Sequence, residues 1–172
     1  MSDHARSFPP IAAPDARILI LGSMPGLASL AAGQYYAHPR NAFWPLMSQL
    51  LGISPDLDYP ARVVALSRAR IAVWDILHSC RRRGSLDSAI EDDSLLPNDL
   101  GGFLAAHPAI SHIFFNGAKA EGCFRRHVRL PEASRDIVLT RLPSTSPAHA
   151  GRSFTEKLAA WQAVRAALDA RP

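Results

Sequence analysis

The fold of this chain is decided by one stretch, Arg17-Ile18-Leu19-Ile20-Leu21-Gly22-Ser23-Met24-Pro25-Gly26. Its four consecutive aliphatic residues suit a strand covered on both faces, as in a parallel sheet between two layers of helices. Glycine and proline then end the strand in a turn. Ligands of open α/β sheets collect beyond the carboxyl ends of such strands, so this turn is the first place where we expect a site.

Three further short runs of apolar residues predict strands, so that the four predicted strands lie at residues 17–22, 71–77, 112–117 and 136–142. Helical patterns predict helices at residues 41–51, 60–70, 97–106, 118–128 and 153–170. The last of these begins with a capping box, Ser153 with Glu156, and continues with an apolar stripe of Leu158, Trp161, Val164 and Leu168. We therefore expect an α/β fold of three layers, α/β/α, with a four-stranded parallel sheet flanked by helices.

Length and composition limit the class of protein. The 172 residues fit one domain spanning 1–172, in which the proline-rich residues 1–14 are predicted to form an irregular tail. Two cysteines, Cys80 and Cys123, are too few for a disulfide scaffold or an iron–sulfur cluster and indicate a reducing cytoplasm. No run approaches the ~20 apolar residues of a membrane span, so we expect neither export nor insertion.

Known motifs for cofactor and metal chemistry are missing from the sequence. Neither GxxxxGK[ST] nor GxGxxG follows the first strand, and no His pair at i, i+4 or CxxC is present. The charge of +4, from 19 Lys plus Arg against 15 Asp plus Glu, fits a polyanionic partner or serves solubility. The run Arg81-Arg82-Arg83 could bind phosphate groups or could form a solvated face of the protein.

The richest segment for a site lies between Gly33 and Trp44, in the sequence GQYYAHPRNAFW. Tyr35, Tyr36 and Phe43 could stack on a base, or could pack the loop and the start of the next helix. An amide such as Asn41 is neither acid nor base, yet it can orient a water, which suffices for a bond that breaks readily, such as an N-glycosidic bond. Asn41 could also cap the helix at 41–51, and both roles are compatible.

The other predicted strands also end in polar residues. Asn116, before Gly117, could read the edge of a base or form a turn. The prolines around Ser144, Thr145 and Ser146 stiffen a segment that suits a phosphate grip or a wedge against a duplex, or is simply a turn. Polar ends of parallel strands meet at one edge, so we expect a single composite site. A thiol nucleophile at Cys80 is a weaker alternative to a structural cysteine.

Several motifs together resemble one family. GSMPG, QYYAHPRNAFW, WDIL with SC, GSLDSAI, FNG and LPSTSPAHA are similar to the uracil-DNA glycosylase superfamily, and specifically to its hypoxanthine-DNA (deoxyinosine) glycosylase family. The resemblance implies a uracil-DNA glycosylase-like fold and a monofunctional enzyme of base excision repair. It implies as partner DNA containing deaminated bases, with no metal and no organic cofactor, and we expect a monomer.

The resemblance also implies roles for residues. Met24 stands where the superfamily has Asp or Asn, so the catalytic role passes to Asn41, and Leu142 replaces a histidine that stabilises the leaving base. The implied base-binding residues are Tyr35, Tyr36, Asn116, Met24, Gly22, Ser23 and His38. The implied DNA-binding residues are Ser144, Thr145, Ser146, His149 and Arg40. Two alternatives stay open: a uracil or mismatch-specific DNA glycosylase, and a non-catalytic module that binds DNA or a nucleotide.

Overall fold

A computed structural model describes residues 3–170. Within this range the strands are β1 (His4–Arg6), β2 (Ile18–Gly22), β3 (Ile71–Asp75), β4 (Leu77–Arg81), β5 (Leu96–Pro97), β6 (His112–Asn116) and β7 (Val138–Leu142). The helices are α1 (Leu27–Ala32), α2 (Phe43–Leu51), α3 (Tyr59–Arg68), α4 (Leu100–Ala106), α5 (Ala118–His127) and α6 (Phe154–Asp169). None of the helices in these 168 residues is long and apolar enough to cross a membrane.

The central sheet has four parallel strands in the order β3-β2-β6-β7. Ile18 at the start of β2 pairs with Ile71 on one side and with His112 on the other. At the far end Gly22 pairs with Asp75, and Asn116 of β6 pairs with Leu142 of β7. The four strands thus end level with one another, and the predicted parallel sheet is confirmed.

Helices cover both faces of the sheet because the side chains of β2 point alternately to two cores. Ile18 and Ile20 belong to a cluster with residues of α2, α3 and α6. Leu19 and Leu21 belong to a second cluster with residues of α4 and α5. All four side chains are fully buried, and burying an aliphatic side chain contributes roughly 1.5–3 kcal/mol. The predicted three-layer arrangement is therefore confirmed.

Helix α6 fixes one face of the sheet and begins where its capping box predicts. Ser153 accepts a hydrogen bond from the backbone N–H of Glu156, whose carboxylate accepts one from the N–H of Ser153. Two residues of the predicted stripe, Trp161 and Val164, are fully buried, and Leu158 and Leu168 pack at its edges. The indole N–H of Trp161 donates to the carbonyl of Pro143, which ties α6 to the segment after β7.

The amino-terminal residues correct one prediction. Within the predicted irregular tail, the described residues 3–14 are held to the fold, because His4–Arg6 pairs antiparallel with β4 and Ile11 bridges to Val73. Residues 1 and 2, like 171 and 172, lie outside the described part of the chain.

The strand predicted at 71–77 is split at Ile76, after which β4 belongs to a second sheet of three strands, β1-β4-β5. This sheet carries the segment after β4 toward the end of β2.

Candidate active site at the carboxyl ends of the strands

The turn after β2 forms the centre of the candidate site. A Cβ on Gly22 would lie 2.5 Å from a carboxylate oxygen of Asp75 and 3.2 Å from the hydroxyl of Tyr36, so only glycine fits here. Ser23 donates a hydrogen bond of 2.6 Å to Asp87. The turn is thus packed on all sides by polar groups from three other segments. Met24, predicted to line the base pocket, is instead 93% buried in the core cluster around α4 and α5.

The two adjacent tyrosines after α1 have different positions. Tyr35 is almost fully buried, and its hydroxyl donates to the carbonyl of Pro9 at 2.8 Å, while Phe8 packs against its ring edge to face. The prediction that Tyr35 stacks on a base is therefore wrong, because its ring is enclosed by the core. Tyr36 is only half-buried and stacks on Phe43, with ring centroids 4.0 Å apart and planes 24° apart.

The backbone of Tyr36 is in the left-handed region, with φ of 55°, which is unusual for a side chain of this size. The ring is tilted by 41° against that of Tyr35, with centroids 6.2 Å apart, and its hydroxyl lies 3.2 Å from the position that a Cβ on Gly22 would take. Burial, and then the nearby Asp75, raise the pKa of Tyr36 well above its ordinary value, so its hydroxyl stays protonated. A rare backbone conformation at a strand-end crevice is typical of a functional position.

Asn41 lies beside Tyr36 at the start of α2. Its side-chain oxygen accepts a hydrogen bond of 2.9 Å from the N–H of Phe43, the first residue of α2. The predicted cap position is corrected by one residue, because Ala42 holds the N-cap without a side-chain bond and Asn41 lies just before it. The side-chain amide nitrogen makes no hydrogen bond to any residue in 3–170. Tyr36, His38 and Asn41 border one surface groove of about 680 Å³. Asn41 therefore offers two free donors to this groove.

His38 and Arg40 shape the loop before Asn41. The Nδ1 atom of His38 accepts a hydrogen bond from the N–H of Arg40, and the carbonyl of His38 accepts one from the N–H of Asn41. The guanidinium of Arg40 is exposed and makes no ion pair with any residue described in the structure. It is therefore free to contact a bound anion.

Asn116 at the end of β6 is held by the segment after β7. Its oxygen accepts from the N–H of Thr145 at 2.9 Å, and its nitrogen donates to the hydroxyl of Thr145 at 3.0 Å. Both residues are buried. Its acceptor and one of its donors therefore hold the segment after β7 in place, and the reading of a base edge by the second donor stays a prediction.

The hydroxyls of this segment differ in exposure. Thr145 is 99% buried, so its predicted contact with DNA is wrong and its role is structural. Ser144 and Ser146 are half-buried and accept hydrogen bonds from the backbone N–H groups of Ser146 and Ala148. Their own hydroxyl protons remain available. The side chain of His149 is exposed, while its carbonyl accepts from the ammonium of Lys157.

Two acidic residues and an arginine near Gly22 were missed by the sequence analysis. Asp75 ends β3 with only 3% of its surface exposed, and burial, reinforced by the charge of Asp87, raises its pKa to about 7. Arg82, 3% exposed, acts in the opposite direction on that pKa and donates to the carbonyl of Pro25. The solvated-face interpretation of Arg81-Arg82-Arg83 is therefore wrong for Arg82. An acidic residue that ends a buried strand was the available signal.

Comparison with known proteins identifies the family. The model of the uracil DNA glycosylase superfamily matches residues 9–165. The chain belongs to the uracil DNA glycosylase superfamily.

Two curated relatives of this superfamily member carry the name hypoxanthine DNA glycosylase. The protein of Methanosarcina barkeri (strain Fusaro / DSM 804) is 35% identical over 116 residues, and that of Methanosarcina acetivorans is 38% identical over 116 residues. Each match covers 67% of this chain and 72% of the relative. A solution NMR structure from Methanosarcina acetivorans, named for the uracil DNA glycosylases, matches with a TM-score of 0.78 and 32% identity over 97% of this chain and 99% of that one. The predicted family is confirmed.

One departure from the superfamily pattern is visible in the geometry. Leu142, at the position of the superfamily histidine, is 97% buried in the core cluster around α2 and α6 and carries no polar group. The thiol alternative at Cys80 also fails, because the side chain is fully buried and burial raises its pKa, which disfavours the thiolate. With neither a histidine at Leu142 nor a thiolate at Cys80, the titratable carboxyls next to the turn after β2 are those of Asp75, beside Gly22, and Asp87, bonded to Ser23.

Proposed function

We propose that this DNA glycosylase hydrolyses the N-glycosidic bond of hypoxanthine flipped out of DNA, with Asn41 holding the attacking water. Membership of the superfamily supports a DNA glycosylase, and the names of the two curated relatives support a deaminated base, hypoxanthine. The observation that carries the proposal is the shared groove, which Asn41, whose amide nitrogen has no hydrogen-bond partner among the described residues, borders together with Tyr36. Water and a stacked base would meet there.

The reaction needs the base outside the helix. Extruding a nucleotide takes a few kcal/mol, and less for a mispaired deaminated base. In the proposal the base stacks on the face of Tyr36 that Phe43 leaves free, which is worth roughly 1–3 kcal/mol. Asn41, anchored through Phe43, keeps its donors fixed, so a water bound to them is positioned before the bond breaks.

The two lysines support a monofunctional hydrolase. The chain has only Lys119 and Lys157. The ammonium of Lys119 pairs with Asp92 at 3.1 Å, and that of Lys157 donates to the carbonyl of His149 at 2.8 Å. Neither amine is placed to attack the sugar as a Schiff-base nucleophile, so the product in this proposal is an abasic site in an unbroken strand.

Contacts to the DNA backbone surround the groove in the proposal. Arg40 has a free guanidinium, and Ser144 and Ser146 keep free hydroxyl protons in the segment after β7, where Ser144 packs against Gly117. With a net charge of +4, affinity should fall with salt as phosphate counterions are released. A monomer in the cytoplasm stays a prediction.

The test is a product assay on three duplexes that carry a single hypoxanthine, uracil or xanthine, with abasic sites cleaved after the reaction. Release of hypoxanthine ahead of the other bases is the expected result. Preferential release of uracil would favour the uracil or mismatch-specific alternative. Absence of cleavage on all three duplexes, with DNA binding retained, would favour the non-catalytic module.

A further inference from the structure

Buried polar atoms without partners cluster at one place in the molecule. In the described part of the chain these atoms are the hydroxyl of Tyr36, Oδ2 of Asp75, and Nε and Nη1 of Arg82. The charges of Asp75 and Arg82 act on each other, and Asp75 also acts on Tyr36. Folded proteins satisfy nearly all buried polar groups, so such a cluster points to a polar ligand that completes it.

The ring of Tyr36, which borders the groove, joins the groove to this cluster. The hydroxyl of Tyr36 and Oδ1 of Asp75 approach the same point, the missing Cβ of Gly22, at 3.2 and 2.5 Å. The hydroxyl marks the end of the Tyr36 ring that points into the protein. A base that lies on this ring therefore brings its inner edge toward the carboxyl of Asp75.

Charged and titratable groups from each neighbouring segment set the state of Asp75. Asp87, from the turn after β4, makes the carboxylate form unfavourable, while Arg82 at the end of β4 favours it. Tyr35 and Tyr36 face it from the loop before α2, and burial raises the pKa of both hydroxyls, so they stay neutral. Desolvation is the largest influence, and the pKa of Asp75 is raised to about 7. An acid with this pKa is well suited to give up a proton near neutral pH.

We propose that Asp75 is a second catalytic residue, which protonates the departing base from the inner end of the site. This inference rests on the proposed function. The O–H bond of Asp75 breaks and an N–H bond forms at N7 of hypoxanthine, while the electron pair of the C1′–N9 bond goes to the base. The water held by Asn41 bonds to C1′ and releases a proton to solvent, from which Asp75 is protonated again.

Other titratable side chains are less suited to this step. Asp87 already accepts a hydrogen bond from Ser23, and the side chain of His149 is exposed. His38 uses Nδ1 to accept from the backbone of its own loop. A purine such as hypoxanthine gains from an acid because protonation at N7 lets it leave as a neutral molecule.

The test measures single-turnover base release from a hypoxanthine duplex between pH 5.5 and 8.5, with enzyme in excess and binding checked separately. For the unmodified protein the rate should be constant at low pH and fall as the pH rises through about 7. Asp75→Asn has the same shape but no acidic proton, so its rate should be lower by ~10²-fold and lose the fall above neutral pH. If Asp75→Asn keeps both the rate and the pH dependence, the proposal is overturned.

A second variant keeps the proposal testable if Asp75→Asn folds poorly. Asp87→Asn still accepts from Ser23 but removes a negative charge that raises the pKa of Asp75, so the fall in rate should move to lower pH. The matched control is Asp93→Asn, because Asp93 is 81% exposed and pairs with Arg81 on the surface. Its profile should coincide with that of the unmodified protein. If the rate of base release in Asp87→Asn falls at the same pH as in the unmodified protein, the role of Asp75 is contradicted.

A direct titration separates this inference from the proposed function. Carbon-13 NMR of labelled aspartate, with the Asp75 signal identified by its loss in Asp75→Asn, should show a midpoint near 7 that falls in Asp87→Asn. A midpoint at the ordinary value of a carboxyl overturns the inference even if hypoxanthine is released. If no base is released at any pH while the midpoint is near 7, the proposed function fails, and the acid role of Asp75 fails with it.

Discussion

The side chain of Asn116 is closed on Thr145 by two hydrogen bonds, one to its backbone N–H at 2.9 Å and one to its hydroxyl at 3.0 Å. The carbonyl of Thr145 in turn accepts from the N–H of Ala42 at 3.0 Å, next to Asn41. The end of β6, the segment after β7 and the start of α2 are therefore one hydrogen-bonded unit. The position of Asn41 depends on contacts that are distant in the sequence.

Replacing the hydroxyl in this unit should lower stability. Thr145→Val keeps the shape of the side chain but leaves the amide nitrogen of Asn116 without its buried acceptor, so the free energy of unfolding should fall by about 1–3 kcal/mol. Urea denaturation measures the change. The control is Thr140→Val in β7, which removes a hydroxyl that has no hydrogen bond within residues 3–170 and should change stability by less than ~0.5 kcal/mol. Equal stability of Thr145→Val and the unmodified protein would show that this bond contributes nothing.

Asn41 combines capping and water positioning, and two variants separate the roles. Asn41→Ser keeps a side-chain oxygen that can accept from the N–H of Phe43, but is too short to hold the same water. Its stability should match the unmodified protein while base release falls by ~10²-fold or more. Asn41→Ala should lose that activity and also about 1 kcal/mol of stability. Single-turnover rates with thermal unfolding provide both readouts, and an active Asn41→Ser would rule out the water-positioning role.

The two neighbouring tyrosines should respond differently to substitution. Tyr36→Leu removes a stacking ring and should slow base release by roughly 10–100-fold, the equivalent of 1–3 kcal/mol. Tyr36→Phe keeps the stacking ring and removes only the buried hydroxyl beside Asp75, so base release should fall by less than in Tyr36→Leu. Tyr35→Phe instead loses a bond to the carbonyl of Pro9 and should lower the melting temperature without changing the rate. If substitutions of Tyr35 slow base release and those of Tyr36 lower only the melting temperature, Tyr35 is the stacking residue and Tyr36 the structural one.

The regular parts of the fold could be predicted because their signals are local. Four aliphatic residues from Ile18 to Leu21 mark a strand buried on both faces, and Ser153 with Glu156 marks the start of α6. The small sheet gave no such signal, since β1 has three residues and β5 has two, too few to show alternation. It forms because β4 supplies pairing partners on both sides.

The candidate site could be predicted only in part, for a similar reason. Asn41 and Tyr36 follow from the kinds of residue present, but nothing local distinguishes Tyr36, with its left-handed backbone, from Tyr35, which the core buries. Asn116 reads as a ligand or a turn residue until its partner 29 residues later is known. Asp75 becomes notable only when burial and Asp87 act on it together.

Contacts of Arg40 with phosphate should be visible in the salt dependence of binding. Arg40→Ala should weaken binding of an undamaged duplex and reduce the slope of log K against log salt by about one, the share of one phosphate. Fluorescence anisotropy across a salt series measures both. The control is Arg70→Ala, since Arg70 pairs with Asp15 and borders a separate cavity of about 880 Å³ at the amino ends of the strands. Equal slopes for the two variants would exclude a contact between Arg40 and phosphate.

The raised pKa of Asp75 should also make the fold less stable at alkaline pH. Since this pKa is about 7 in the folded protein against 3.8 ordinarily, the folded state holds the proton more tightly than the unfolded chain does. The resulting stabilisation is complete below pH 3.8 and is lost as the pH rises through 7, with a loss of about 2–3 kcal/mol between pH 5 and pH 8. The Asp75→Asn side chain has no proton to lose. Between pH 5 and pH 8 the unfolding free energy of this variant should therefore fall by about 2–3 kcal/mol less than that of the unmodified protein. Urea denaturation of both proteins at the two pH values measures the difference, and parallel losses in the two would mean that Asp75 titrates normally.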